Sequence, residues 1–257
     1  DLQVARIRDM AEVFTPSWIC NAQNNLIDAD WFGRENVFNI EHGETWEPIT
    51  DKITFPKGRT WKDYVRANRM EITCGEAPYI TSRYDTTTGE FIPVERRIGL
   101  LDRKLRVVSE NVETSGLWLR AAQDAYKSVY AYEWQGDSLL LAREAMLWTF
   151  IENYMLKFRR IPQKKSIKFI AYIISWNVWQ MDGLKFVVPE SCHDEQEEEL
   201  NLGVQIAAKP CPGCATEGKE KHNGTHCLIN DWNVRDPKTK KKGMEMEYAS
   251  LTRGGRT

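Results

Sequence analysis

Four of the six cysteines, Cys192, Cys211, Cys214 and Cys227, fall within 36 residues, together with three of the four histidines, His193, His222 and His226. Thiolate and imidazole are preferred zinc ligands, and Cys211-Pro212-Gly213-Cys214 has the spacing that lets two thiolates and the amides of a turn close on one metal. Cys192 and Cys227 complete a four-thiolate set. His193 follows Cys192 and His226 precedes Cys227, so either imidazole could replace its neighbour with little movement of the chain. The competing reading, a redox dithiol, calls for a strand-to-helix pattern around the Cys-Pro-Gly-Cys turn, and the sequence has none there. Four protein ligands leave no open position for water, so the expected metal is a structural zinc.

A second set of residues is acidic and ends strand-like stretches. Met70-Glu71-Ile72-Thr73 reads as a strand that enters Cys74-Gly75-Glu76-Ala77-Pro78, where glycine permits a tight turn and Pro78 suits a helix start. Val129-Tyr130-Ala131-Tyr132-Glu133-Trp134 reads as a strand ending in a carboxylate, and residues 177–184 as a third, ending in Asp182 and Gly183. A carboxylate at the carboxyl end of a parallel strand can accept both hydrogen bonds of a ribose diol.

The elements that must position these groups alternate between strand and helix. Thr15 is suited to cap a helix beginning at Pro16 and running to about Asp28. Residues 30–69 mix Trp, Phe, Gly and Pro without clean periodicity and suggest irregular, partly helical packing and not a separate domain. Residues 94–128 read as helical, with Leu100, Leu101, Leu105 and Val108 on one apolar face. A long helix opens at Gln135-Gly136-Asp137-Ser138 with an apolar stripe from Leu139 to Phe158, and another covers about Lys165 to Ser175. Alternation of this kind implies an α/β fold with a parallel sheet, whose right-handed crossovers bring Glu71, Glu133 and Asp182 to one edge.

Four blocks then occur in order: Glu12-Val13-Phe14-Thr15-Pro16; Glu71-Ile72-Thr73-Cys74-Gly75-Glu76-Ala77-Pro78; Tyr130-Ala131-Tyr132-Glu133-Trp134 with Leu141-Ala142-Arg143; and Trp179-Gln180-Met181-Asp182-Gly183-Leu184. Between about residue 5 and residue 187 the series resembles the cofactor half of the adenine-specific (N-6) DNA methyltransferases of restriction–modification systems, the restriction endonuclease subunit M type. The resemblance implies a Rossmann-like sheet binding S-adenosylmethionine. Phe14 and Thr15 would close over the cofactor, and Glu71, Thr73 and Gly75 would shape the methionine pocket. Glu133 would hold the ribose hydroxyls with Trp134 beside the adenine, while Asp182, followed by Gly183, would meet the adenine amine.

Two features depart from that family. Its glycine-any-glycine turn is Gly75-Glu76-Ala77 here, and its catalytic tetrapeptide, an Asn, Asp or Ser followed by two prolines and an aromatic residue, has no counterpart, since none of the ten prolines adjoins another. That tetrapeptide orients the target amine and stacks the flipped base. A partner subunit could supply those groups. Within this chain Asn230-Asp231-Trp232 is the nearest substitute, so the catalytic residues stay unassigned. Alternatives are a non-catalytic DNA- or cofactor-binding subunit with a zinc ribbon, and a methyltransferase acting on a substrate other than DNA.

Composition frames these readings. With 257 residues, 42% hydrophobic and 28% charged, the chain can bury an ordinary core, which excludes a disordered protein. No apolar run reaches the roughly 18–20 residues that span a bilayer, and no basic-then-apolar leader opens the sequence, so a cytoplasmic location is expected. The net charge of −2 gives no global attraction for a polyanion. Locally, seven basic residues between Arg235 and Thr257, with Lys238 to Lys242 the densest stretch, suit contact with DNA, whereas Glu190 to Glu199 holds six acids. The expected organisation is a methyltransferase-like cofactor-binding domain over 1–187 and a zinc-binding module with a basic tail over 188–257.

Overall fold

The computed structural model describes residues 13–195, 208–216, 221–235, 237 and 242–253. Most of the basic stretch, Lys238 to Lys241, and residues 196–199 of the acidic run lie outside the described residues. Helix α1 (Ser17–Phe32) is followed by a hairpin of β1 (Asn39–His42) and β2 (Thr45–Pro48), then α2 (Trp61–Arg66) and β3 (Arg69–Ile72). Helices α3 (Leu100–Asn111) and α4 (Ser115–Lys127) lead to β4 (Val129–Glu133). Helices α5 (Gly136–Phe158) and α6 (Lys164–Asn177) then lead to β5 (Val178–Gln180). The carboxyl-terminal part holds a short helix α7 (Pro212–Thr216), a hairpin of β6 (Leu228–Arg235) and β7 (Lys242–Glu247), and α8 (Ser250–Arg253).

Strands β3, β4 and β5 form a parallel sheet in that order, with Met70 opposite Tyr130 and Glu133 opposite Gln180. The fold is therefore mixed α/β around a small parallel sheet; the described residues include three of its strands and not a full Rossmann-type sheet. The expected apolar faces are the ones buried. Leu101, Leu105 and Val108 of α3 join Leu139, Ala142, Met146, Phe150 and Tyr154 of α5 in one core with Trp118, Tyr126 and the sheet residues Val129 and Ala131, and Leu100 is buried as well.

Several local expectations change for identifiable reasons. Helix α1 begins at Ser17 and continues to Phe32, where left-handed Gly33 stops it. Its first amide is capped from a distance, Ser17 N–H donating to Asp85 Oδ2 at 2.6 Å, while Thr15 spends its carbonyl on the Thr86 hydroxyl. No helix starts at Pro78: residues 75–80 make successive turns, and helix resumes at Leu100 after a 3₁₀ turn at Val94–Arg96. Asn177 belongs to α6, its side-chain amide donating to the carbonyls of Tyr126 and Val129, so the third strand shortens to Val178–Gln180. The segment 30–69, read as irregular and partly helical, does contain a helix, α2, and also the β1–β2 hairpin, which was not expected.

The β6–β7 hairpin covers one face of the sheet. Cys227, Ile229 and Ala249 pack with Tyr132, Trp179, Met181 and Phe186, and the indole of Trp232 donates to Asn177 Oδ1 at 2.7 Å. Main-chain bonds from Cys227 to Phe186 and from Val188 to Thr225 cross the boundary expected near residue 187, so the two segments share packing. No described helix is long and apolar enough to cross a membrane.

Candidate functional site

At the carboxyl-terminal end, Cys192, Cys211, Cys214 and His222 bring their ligand atoms within 4.8 Å of one another. The three sulfurs lie 3.5, 3.7 and 3.7 Å from His222 Nδ1. A tetrahedral zinc with Zn–S of about 2.3 Å and Zn–N of about 2.0 Å would set sulfur and nitrogen about 3.5 Å apart, so donor types and spacing both fit. This Cys3His cluster could hold a metal such as zinc. Helix α7 presents Cys214, and Gly213 between the two knuckle cysteines has a steric role: a Cβ there would lie 2.5 Å from His222 Cγ. The N–H of Asn223 donates to Cys211 Sγ at 3.4 Å. Against the opposing effect of burial, such main-chain donors and the His222 ring bring the Cys211 thiol down to about 6, which favours a thiolate.

The fourth ligand departs from the sequence reading. Cys227 lies elsewhere: its thiol is buried in the cluster under the hairpin, donates to the Gln180 carbonyl at 3.3 Å, and is pushed up to about 12 by burial and by the charge of Asp182. His193 is held by main-chain bonds to the Asn223 side chain, and His226 Nε2 sits 3.1 Å from the His222 carbonyl. Neither replaces a cysteine. Adjacency to a cysteine favoured these two in the sequence; His222 adjoins none, and its place opposite Gly213 is visible only in the fold.

The second site lies where β3 and β4 end. A cavity of about 420 Å³ opens there, and Phe14, Thr15, Glu71, Thr73, Gly75, Glu133 and Trp134 line it along with Glu76, Tyr79 and Ser138. Seven of the nine residues expected to bind cofactor thus meet at one rim. Loop 73–77 wraps the opening with Thr73, Gly75 and Ala77 all left-handed, at φ of 48°, 52° and 60°, a conformation costly for the two residues that carry a Cβ.

Glu133 ties this loop to the sheet. Its Oε2 accepts the Gly75 N–H at 2.6 Å, and its Oε1 accepts those of Trp134 and Gln135 at 2.8 and 3.0 Å. A carboxylate offers about four lone-pair sites, so about one remains for a ligand hydroxyl. Glu71 accepts weaker bonds from the N–H groups of Tyr79 and Ile80, at 3.5 and 3.2 Å. Burial pushes its carboxyl up to about 8 against those donors, and the neighbouring charge of Glu133 pushes the same way. The lining residues include the carboxylates of Glu76 and Glu133 but no Lys or Arg among the described residues, which favours positive charge in a ligand; Glu71, protonated below about 8, adds a polar group and not a charge.

Asp182 and Gly183 do not join this lining. Asp182 Oδ1 accepts the N–H groups of Leu184 and Lys185 and closes its own turn, and a Cβ on Gly183 would lie 2.8 Å from the Tyr132 hydroxyl. Successive side chains on a strand face opposite ways, so the Tyr132 side of β4, where this turn folds, is not the side of Glu133. Asn230-Asp231-Trp232 is likewise part of the hairpin packing, with Asn230 and Trp232 buried. Compared with protein-family models, curated proteins and solved structures, the chain matches none.

Proposed function

We propose that the chain binds S-adenosylmethionine in the cleft at the ends of β3 and β4 and serves adenine-N6 methylation of DNA, with a partner subunit completing the target-base site. The observation that carries this reading is the convergence of Phe14, Thr15, Glu71, Thr73, Gly75, Glu133 and Trp134 on one cavity at the carboxyl ends of parallel strands. Its volume lies in the range of small-ligand sites, roughly 300–1,000 Å³. When bound, S-adenosylmethionine supplies an electrophilic methyl group on a sulfonium centre. The carboxylate-rich, Lys- and Arg-free lining suits that cation and the ligand's ammonium group better than it suits a polyphosphate. Trp134, exposed at the rim, offers an indole face to a nucleobase, and the remaining site on Glu133 offers an acceptor to a ribose hydroxyl. The Cys3His cluster fits a structural role, tying Cys192 to the turn at Cys211 and Cys214 and to His222.

A second reading, cofactor binding without transfer by this chain alone, is favoured by one observation: no pair of adjacent prolines exists to build the base-stacking tetrapeptide. Equilibrium dialysis with methyl-labelled S-adenosylmethionine, followed by incubation with duplex DNA, separates the two. Saturable binding with labelled DNA supports transfer by the chain itself; binding without label, restored by a partner, supports the subunit reading. Absence of saturable binding at millimolar ligand overturns both.

A further inference from the structure

Positive charge is unevenly spread along this chain. Between Asn153 and Met181 stand six basic residues, Lys157, Arg159, Arg160, Lys164, Lys165 and Lys168, and no acidic one, in a sequence whose net charge is −2. Lys164, Lys165 and Lys168 are exposed on the first half of α6, and none of them forms an ion pair among the described residues. Their placement works against the helix. Lysines in the first turn oppose the helix dipole, and Lys164 and Lys168 are like charges four residues apart, with no acidic residue in α6 to offset either effect.

The same face presents aromatic rings. Phe169 and Tyr172 are 37% and 48% exposed, and their rings stack with centroids 6.2 Å apart at 25°. With Lys165, Ser166 and Lys168 of α6 and Gln123 of α4 they line a shallow depression of about 420 Å³, and no Asp or Glu joins that lining. Lys127, at the end of α4, adds its charge beside them: its Nζ stands 5.6 Å from the centre of the Phe169 ring and 5.2 Å from that of Trp232. Asp124, the one acidic residue of α4, is paired with Arg66 at 2.7 Å and lines a different surface. Lys127 closes α4 just before β4 starts, and the cofactor cleft lies where β4 ends, so the face and the cleft sit toward opposite ends of that strand.

We infer that this face of α4 and α6 binds an unpaired strand of nucleic acid, with its phosphates on Lys127, Lys164, Lys165 and Lys168 and a base against the Phe169–Tyr172 pair. Lysines alone would suit any polyanion, a duplex included. Exposed rings set among them reward a ligand that carries both phosphates and free base faces, which a closed duplex and an acidic peptide lack. The inference goes beyond the cofactor reading and stands whether or not the cleft binds S-adenosylmethionine.

Fluorescence anisotropy of the full chain with labelled oligo-dT and oligo-U, in the absence of S-adenosylmethionine, tests it. At least one strand should bind, the tighter of the two identifying the sugar, and a duplex of equal length or polyglutamate should compete less well than the unlabelled strand. Four phosphate contacts give a log–log salt slope of about −3, and Lys165→Gln combined with Lys168→Gln should bring it to about half that value. Phe169→Ala should weaken binding about fivefold or more at constant salt and leave the slope unchanged, because it removes stacking and no charge. Should Phe169→Ala fail to fold, the lysine variant, altered only at exposed side chains, carries the test. No binding of either strand at low salt, equal competition by the duplex or by polyglutamate, an unchanged slope in the lysine variant, or full affinity in folded Phe169→Ala overturns the inference.

Discussion

Replacing Gly213 by alanine tests the metal centre through a single atom. The added Cβ would stand 2.5 Å from both Cγ and the main-chain nitrogen of His222, nearly an ångström short of the 3.4 Å at which ordinary contact begins. Gly213 lies within α7 and has no left-handed φ, so the backbone itself tolerates alanine and helix propensity favours it. The adverse effect is displacement of His222, its ring and its main chain together. Metal sites hold ligand distances to about 0.2 Å, so a shift several times larger removes His222 from the set. A structural zinc gains about 10–16 kcal/mol from four ligands, so one ligand contributes about 3–4 kcal/mol and its loss weakens affinity by about 10²–10³-fold. Competition with a chromophoric zinc chelator would read this directly. Cys227→Ser should leave metal affinity unchanged in the same assay, because that thiol bonds to the Gln180 carbonyl. Wild-type affinity in Gly213→Ala, or loss of metal in Cys227→Ser, would refute the Cys3His assignment.

Two further outcomes follow from buried charge. Asp28→Asn leaves Arg103, 1% exposed, without its carboxylate: the one oxygen that remains can accept from the Tyr64 hydroxyl only by turning an amide N–H toward Arg103 Nη1, so urea unfolding should show a loss of about 3–5 kcal/mol; a loss below about 1 kcal/mol would contradict the pairing. For Glu71 the sign is set by a folded value of about 8 against an ordinary 4.5. The native state keeps a proton that the unfolded chain releases, so this stabilisation is complete below about 4.5 and is lost as pH rises through about 8. Between pH 6 and 8.5 the urea midpoint of Glu71→Gln should therefore fall less than that of the unaltered chain, and identical slopes would show that Glu71 titrates normally.

Much of the cleft was legible because its chemistry is local. Glu71 and Glu133 each occur at or beside the end of an apolar strand, and strand alternation with helices is enough to bring such ends together. Asp182 fit the same pattern but not the structure, since β5 is only three residues long and its turn returns to the Tyr132 side of the sheet. The loop conformation at Thr73 and Ala77 had no sequence signal, because neither residue favours positive φ. In the Cys3His cluster, the three cysteines were readable from their grouping in the sequence. His222 was not preferred over its neighbours, because Cys227 looks like a ligand in sequence and is withdrawn only by the pairing of the β6–β7 hairpin with the sheet. The helix start expected at Pro78 failed for a similar reason: Glu71 takes the N–H groups of Tyr79 and Ile80, fixing a turn where proline alone suggested a helix. The distant cap of α1 by Asp85 depends on a contact across 68 residues, which no local pattern reveals.

The most direct test of the account is a structure of the chain with S-adenosylhomocysteine. The account predicts the ligand at the ends of β3 and β4, its adenine against Trp134, a ribose hydroxyl on Glu133 and its ammonium facing Glu71. Ligand bound at any other place, or an empty cleft under saturating ligand, would contradict it.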